Sequence, residues 1–236
     1  MKQAETSKPY FLVLETATMV GSVAVYEGEQ LLGALTIHQE RTHAKLLVPM
    51  VQSLLSHLGI EGKELSGIAV SKGPGSYTGL RVGVSTAKGL CMAYDVPLLS
   101  IGSLELLAWQ VHDWAVELEA WICPMIDARR MEVYLAIYDE HLVEKLPVQP
   151  MIIEGEALLD VLVEQKIIFV GDGVAKCRNH LGQSPFAIIL GNIQADASYV
   201  GSAILKKWKN RAFEDLISFE PFYLKSYVAT KPKKRL

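Results

Sequence analysis

Cysteine is scarce in this sequence: Cys91, Cys123 and Cys177 are the only three in 236 residues, far apart and with no CxxC pair. An odd count without a pairing pattern excludes a disulfide framework and fits reduced, mostly buried thiols of a cytosolic protein. Long hydrophobic runs are missing too. No stretch approaches the roughly 18 apolar residues of a membrane span, and the apolar run near the N-terminus is too short for a secretion signal. The expectation is therefore a soluble, cytoplasmic protein with no membrane contact. Nor is there an excess of either charge. The formal net charge of -3 gives the body no bulk attraction for a phosphate backbone, so any nucleic acid must be met by a local patch or a partner. What the chain does have is ordinary for a folded protein: 50% hydrophobic residues, 21% charged residues and eighteen glycines, over a length that suits one large domain or two lobes of roughly 100 residues.

The pattern along the chain is a plan used twice. Residues 11–15, 21–26 and 31–37 read as strands, with Glu27-Gly28-Glu29 as a hairpin turn. Leu47, Val51, Leu54, Leu55 and Leu58 then recur at helical spacing, with Pro49 inside the pattern to kink the helix or delay its start. A strand at 67–70 runs into a glycine-rich loop at 72–79, followed by a small-residue helix at 80–94, a strand at 98–101 and a helix at 104–116. The second half predicts strands at 121–126, 132–138 and 142–148, a helix at 156–165, and a strand at 167–170 ending in Gly171-Asp172-Gly173. A short helix, a strand at 186–189 and a helix at 197–210 complete it. Two copies of a β-meander followed by αβα units predict a duplicated mixed-sheet α/β architecture of the actin-like kind, with a nucleotide cleft between lobes. The expected division is an N-terminal lobe at 1–117, a reduced C-terminal lobe at 118–225 and a basic tail at 226–236.

The strongest chemical signal is Gly73-Pro74-Gly75-Ser76-Tyr77-Thr78-Gly79-Leu80-Arg81, between a buried strand and a helix. Gly73, Gly75 and Gly79 let backbone approach a ligand, Ser76 and Thr78 with the helix-start N–H groups can hold an anion, and Arg81 can add a charge. The loop lacks the lysine of a P-loop and the spacing of a dinucleotide fingerprint. Against the ligand site stands a plain strand-to-helix turn capped by Thr78. Glu15 closes the first strand, where an actin-like carboxylate faces phosphates and metal; the alternative is an acidic turn residue in contact with solvent. His38 and His43 flank Glu40-Arg41-Thr42, which is not HExxH, and surface or capping roles suit them better than zinc. Asp127-Ala128-Arg129-Arg130 reads either as a functional charge cluster or as an ion-paired turn. The tail carries Lys231, Lys233, Lys234 and Arg235, a solvated charge run with RNA phosphate contact as the minority alternative.

At GPGSYTGLRVGVSTAKGL the sequence resembles the TsaB (YeaZ) family, and the resemblance runs on through LETAT, HAKLLVPMVQSLL, PMIDARRMEVYLAIY, VGDG and FEPFYLK. It implies an actin-like fold with a reduced second lobe and no complete nucleotide or metal site. It further implies a non-catalytic partner that binds and activates a TsaD-like catalytic subunit and is joined by a TsaE-like ATPase. Together these transfer a threonylcarbamoyl group to N6 of adenosine 37 of tRNA, which is reached through the complex. No intrinsic cofactor is implied, with ATP or ADP placed at the complex interface. Two positions depart from the family: Glu15 stands where aspartate is usual, and Lys225 where arginine is usual. The resemblance also assigns the two helices around the glycine loop to a partner interface. Leu46, Met50, Leu54, Leu80, Val84 and Ala87 are then expected as an apolar surface, hidden in a homodimer when the chain is alone. Two rivals stay open at this point: an actin-like nucleotide-binding enzyme in its own right, and the peptidase once attached to this group as a label.

Overall fold

A computed structural model of the chain describes residues 8–38, 43–152, 165–191 and 193–225. Three antiparallel strands open it: β1 (Tyr10–Glu15), β2 (Gly21–Glu27) and β3 (Gln30–Ile37). Helix α1 (His43–Leu58), β4 (Leu65–Gly73), α2 (Tyr77–Tyr94) and β5 (Leu98–Gly102) follow, then α3 (Ser103–Gln110) and α4 (His112–Leu118). The plan then repeats with β6 (Trp121–Asp127), β7 (Glu132–Tyr138), β8 (Glu144–Ile152), β9 (Ile167–Val170), α5 (Val174–Leu181), β10 (Ala187–Leu190) and α6 (Gly201–Lys209). The two sheets have the orders β3-β2-β1-β4-β5 and β8-β7-β6-β9-β10, so each strand of the first has a counterpart in the second. In both, the first three strands are antiparallel and the last two run parallel to the first. This duplicated mixed sheet is the expected actin-like α/β fold.

Burial follows from position in the sheet. The central strands β1, β4, β6 and β9 are covered on both faces and read as nearly continuous apolar runs, whereas the edge strands β3 and β8 are only partly buried. One face of the first sheet packs Leu12, Leu14, Val23 and Val25 against α1 and α2. That core takes in Leu47, Met50, Val51, Leu54, Val84, Ala87 and Cys91. The expected partner-facing set is thereby corrected. Met50, Leu54, Leu80, Val84 and Ala87 are all buried inside the chain, and Leu46 is half-buried beside them. They lie on the faces that α1 and α2 turn to their own sheet. Solvent instead meets Val48, Pro49, Gln52, Ser85, Gly89 and Met92.

The opposite face joins the halves. Phe11, Val13, Tyr26, Leu99 and Ile101 share one core with Ile122, Ile126, Ile168 and Val170, with the buried residues of α3 between them. The halves also exchange elements. Helix α3, from the first, packs on β6, while α6 and the short 3-10 turn Ala197–Tyr199 return to β1, β2, β3 and β5. Trp208 of α6 meets the Phe11 ring edge-on at 5.9 Å. The Tyr26 hydroxyl donates to the Ala197 carbonyl at 2.6 Å, and the Ala197 N–H donates to Ser22 Oγ at 2.9 Å. Beyond α6 the chain runs back along the first half: the N–H of Glu214 donates to the Leu98 carbonyl at 2.8 Å, and that of Phe222 to the Lys72 carbonyl at 2.7 Å.

Several boundaries differ from the sequence pattern. Helix α1 continues past Pro49, which is exposed to solvent. The expected helix at 104–116 is two helices that part at Val111, where φ is -119° and ψ is 9°. Strand β8 is longer than expected and reaches Ile152. The expected helix at 156–165 falls, but for residue 165, outside the described residues. So do residues 39–42 of the histidine segment and the tail at 226–236. Among the described residues no helix is long and apolar enough to cross a membrane.

Candidate functional site

The two halves turn the same corner at the ends of β4 and β9. Gly73 and Gly171 both have φ of +112°, a conformation open to glycine alone, and each leads into a helix. At the first corner the Gly73–Pro74 peptide is cis. Helix α2 begins three residues earlier than the pattern suggested, because its cap is Ser76 and not Thr78. Ser76 Oγ accepts from the Gly79 N–H at 3.3 Å. The loop is pressed against the turn that follows β1. Ser76 donates its N–H to the Ala17 carbonyl at 2.6 Å. A Cβ on Gly75 would lie 2.3 Å from the Ala17 oxygen, one on Gly79 2.1 Å from the Thr16 oxygen, and one on Gly83 2.2 Å from Thr16 Oγ1. Close backbone approach is what these glycines permit, and the backbone that approaches is the chain's own.

Glu15 is deeper than either reading of the sequence allowed. It is fully buried, and its Oε1 accepts from the Ala17 N–H at 2.5 Å. Burial pushes its carboxyl up to about 7, aided by the negative charge of Asp196 and opposed by hydrogen bonds from Ala17 and Ser71. Its Oε2 finds no hydrogen-bond partner among the described residues, and the same holds for Thr16 Oγ1. Glu15 is neither an acidic turn residue in contact with solvent nor a carboxylate open to a phosphate. It is a buried acid beneath the turn that seats the glycine loop.

The second half carries its charges at the matching corner. Asp127, the last residue of β6, stands where Glu15 stands in β1, but it is exposed and paired with Lys176 of α5. Its N–H donates to Asp172 Oδ1 at 2.8 Å, and its own Oδ1 accepts from the Arg129 N–H at 2.5 Å. Burial and the neighbouring Asp127 raise the Asp172 carboxyl. Arg129 and Arg130 both take left-handed backbone, with φ of 67° and 51°, and both side chains reach solvent. The ion-paired turn is thus right for Asp127, though its partner is Lys176 rather than either arginine. Lys225 pairs with Glu132 of β7 and lies over the Tyr134 ring. Arg81 is exposed, with its guanidinium 4.4 Å from the Tyr77 ring centre and hydrogen-bonded to Tyr223. Tyr77 and Tyr223 stack at 4.9 Å.

Between the halves Met19, Val20, His38, Asp172 and Gln194 line a recess of about 230 Å³. Sites for small organic ligands run to roughly 300–1,000 Å³. The nucleotide and metal that an actin-like fold implies do not fit these residues. The carboxylate that should face phosphate is buried, the Ser76 N–H is taken by Ala17, and the facing recess is small. Among the described residues no three His, Cys, Asp or Glu side chains gather to hold a metal ion.

This geometry has relatives. A family model described as "TsaD: tRNA N6-adenosine threonylcarbamoyltransferase" matches residues 30–234. The chain belongs to that family. Within it, the chain is a TsaB (YeaZ) member. The tRNA threonylcarbamoyladenosine biosynthesis protein TsaB of Bacillus subtilis strain 168 is 34% identical over 127 residues, 54% of each chain. The chain thus spans about half the length of the curated relatives it matches. The structure of YeaZ from Pseudomonas aeruginosa, 25% identical, superposes with a TM-score of 0.78 over 92% of this chain and all of that one. An inorganic polyphosphate/ATP-glucomannokinase from Arthrobacter sp. strain KM is 12% identical, with a TM-score of 0.51 over 86% of this chain and all of that one, and shares the fold alone.

Among the functional side chains of this TsaB-family chain, sequence reasoning missed Lys176 and the stack of Arg81, Tyr77 and Tyr223. Lys176 sits in the first turn of α5 with no motif around it. The stack joins residues more than a hundred positions apart, and only the return of the chain after α6 brings them together.

Proposed function

We propose that the chain is a non-catalytic partner subunit in the synthesis of threonylcarbamoyladenosine at adenosine 37 of tRNA. In this role it binds and activates a TsaD-like catalytic subunit, and a TsaE-like ATPase joins the pair. The observation that carries the non-catalytic half of this reading is the Thr16–Ala17 turn, which lies against the glycine loop while Glu15 is sealed beneath it. A phosphate cannot enter that space unless the turn moves. ATP or ADP, where it takes part, is held where subunits meet, and tRNA is reached through the assembled complex in the cytoplasm. The family match and the TsaB relatives support the pathway.

The partner surface is assigned to the solvent faces of α1 and α2, through Val48, Pro49, Gly89 and Met92 with Leu46 at their edge. Val48 is 42% exposed and Met92 75%, and two such apolar side chains on neighbouring helices favour cover. Alone, the chain covers this surface as a symmetric homodimer; with the TsaD-like subunit the same faces form the heterodimer.

Three measurements test the reading. Depleting the protein should remove threonylcarbamoyladenosine from digested tRNA, read by mass spectrometry; normal levels overturn the pathway. Mixing the protein with its TsaD-like counterpart on a sizing column should give a joint peak, and separate elution overturns the partner role. Calorimetry with ATP and magnesium should give no binding by the isolated chain. Micromolar binding with turnover would favour an actin-like enzyme instead.

A further inference from the structure

The residues after α6 lay a cationic strip across the junction of the two halves, and the subunit role does not use it. Phe222 is tied to Lys72, Tyr223 stacks on Tyr77 and bonds Arg81, and Lys225, two residues on, reaches β7. There it stands over Tyr134, whose own field includes the charge of Arg129. Arg81, Lys225, Arg129 and Arg130 are all exposed along this line. Of the nearby carboxylates, Asp127 is paired with Lys176 and Glu132 with Lys225, while Asp172 lies beside Asp127 with its carboxyl raised by burial, so the excess charge comes from the three arginines. Among the described residues Arg81, Arg129 and Arg130 form no ion pair, although Glu220 lies within electrostatic reach of Arg81. The strip is therefore positive on a chain whose net charge is -3. In sequence it leads into residues 226–236, which add Lys231, Lys233, Lys234 and Arg235.

Arg81 is also held in place through its side chain, and Arg129 and Arg130 through their backbone. Arg81 is fixed by a ring beneath it and a hydroxyl beside it, which lowers the entropic cost when its fork meets a phosphate. Arg129 and Arg130 occupy left-handed backbone, which is unfavourable for residues with a side chain like theirs and which Asn-Gly would adopt more easily. Their N-terminal anchor is the bond from the Arg129 N–H to Asp127.

We propose that this strip, Arg81–Lys225–Arg129–Arg130, is where the chain itself touches the sugar-phosphate backbone of RNA. The inference rests on the tRNA-modifying role proposed above, which gives RNA as the polyanion within reach. It adds a direct RNA contact by this subunit, made through phosphates and not through bases.

The test is fluorescence anisotropy of the full chain with a short labelled RNA hairpin at low salt. Three variants are compared with wild type: Arg81→Gln, Lys225→Gln, and Arg129→Asn with Arg130→Gly, a pair that tolerates the left-handed turn. Each should stay folded, the Asn-Gly pair melting at or above the wild-type temperature, and bind RNA about tenfold more weakly. Each should also flatten the salt dependence, by about 0.7–0.9 log units per log unit of salt for every phosphate that the variant no longer neutralises. Wild-type affinity in all three overturns the strip. Loss of binding on removing residues 231–236 alone overturns it in favour of the tail. Inorganic polyphosphate at equal charge concentration should compete with the hairpin, and its failure to do so would overturn a contact made through phosphates. Pairing with the TsaD-like subunit should survive in every variant, and its loss would make the strip a protein contact. If wild type neither pairs nor supports the modified nucleoside, the functional reading fails whatever the hairpin does.

Discussion

Gly79 lies so close beneath Thr16 that a methyl group on it would sit 2.1 Å from the Thr16 carbonyl oxygen. Backbone on both sides leaves no flexible side chain to give way. Gly79→Ala should therefore destabilise the chain by about 2–4 kcal/mol, as overpacking does at a rigid contact. Gly89, in the same helix, has nothing within 4 Å of its would-be Cβ. Gly89→Ala should stabilise by about 0.5–1 kcal/mol through helix propensity alone. Urea unfolding of both variants checks the contrast, and equal effects would mean the loop is not held by Thr16.

Glu15 should make stability depend on pH with the opposite sign from most carboxylates. Its folded value of about 7 lies above the ordinary 4.5, so the folded chain holds a proton that the unfolded chain releases. Stability is then fully supported below about pH 4.5 and falls as pH rises through 7, by a few kcal/mol at most, taking about 1.4 kcal/mol per pH unit. Glu15→Gln should flatten that slope and be the more stable protein at pH 8. A variant whose slope matches wild type would show that Glu15 does not titrate in this window.

Charges on the inner and outer faces of α1 and α2 should behave differently. Met50 is 7% exposed and packed into the core, so Met50→Glu should cost several kcal/mol and leave little folded protein. Val48→Glu and Met92→Glu, on solvent faces, should fold normally yet break both homodimer and heterodimer on a sizing column. Intact assemblies in those two variants would move the interface off α1 and α2.

All three cysteines should resist thiol reagents until the chain unfolds. Cys91, Cys123 and Cys177 are buried, and burial raises every one of their thiols, that of Cys177 to about 11. Little reactive thiolate exists near neutral pH. Ellman's reagent added to native protein should titrate none of them rapidly and all of them in denaturant. Fast labelling of one would mean that its part of the core opens locally.

Much of the fold lies open in the sequence because the signals are local. Strand alternation, the helical stripe of Leu47, Val51, Leu54 and Leu58, and the glycine at each strand end depend on residues within a turn or two of one another. The duplication is legible for the same reason: the same local signals recur in the same order. Side-chain direction is a different matter. Met50 and Leu54 read equally well as core or as interface, since periodicity shows that a helix has an apolar face and not what covers it. Only the packed fold decided that both are buried in the chain's own core, where α1 lies against β2, β3 and α2.

The site divides along the same line. Sequence alone determined that a glycine loop follows β4 and that an acid ends β1. Tertiary structure decided that the loop closes on Thr16 and Ala17, that Glu15 is sealed from water, and that Arg81 meets Tyr223. Those contacts join segments roughly 60 to 140 positions apart, and the longest of them, from Arg81 to Tyr223, forms because the chain crosses back from the second sheet to the first between β10 and α6. No local preference encodes such a crossing. It is fixed by the burial of Tyr26, Val200 and Ile204 in one shared core, a property of the folded whole.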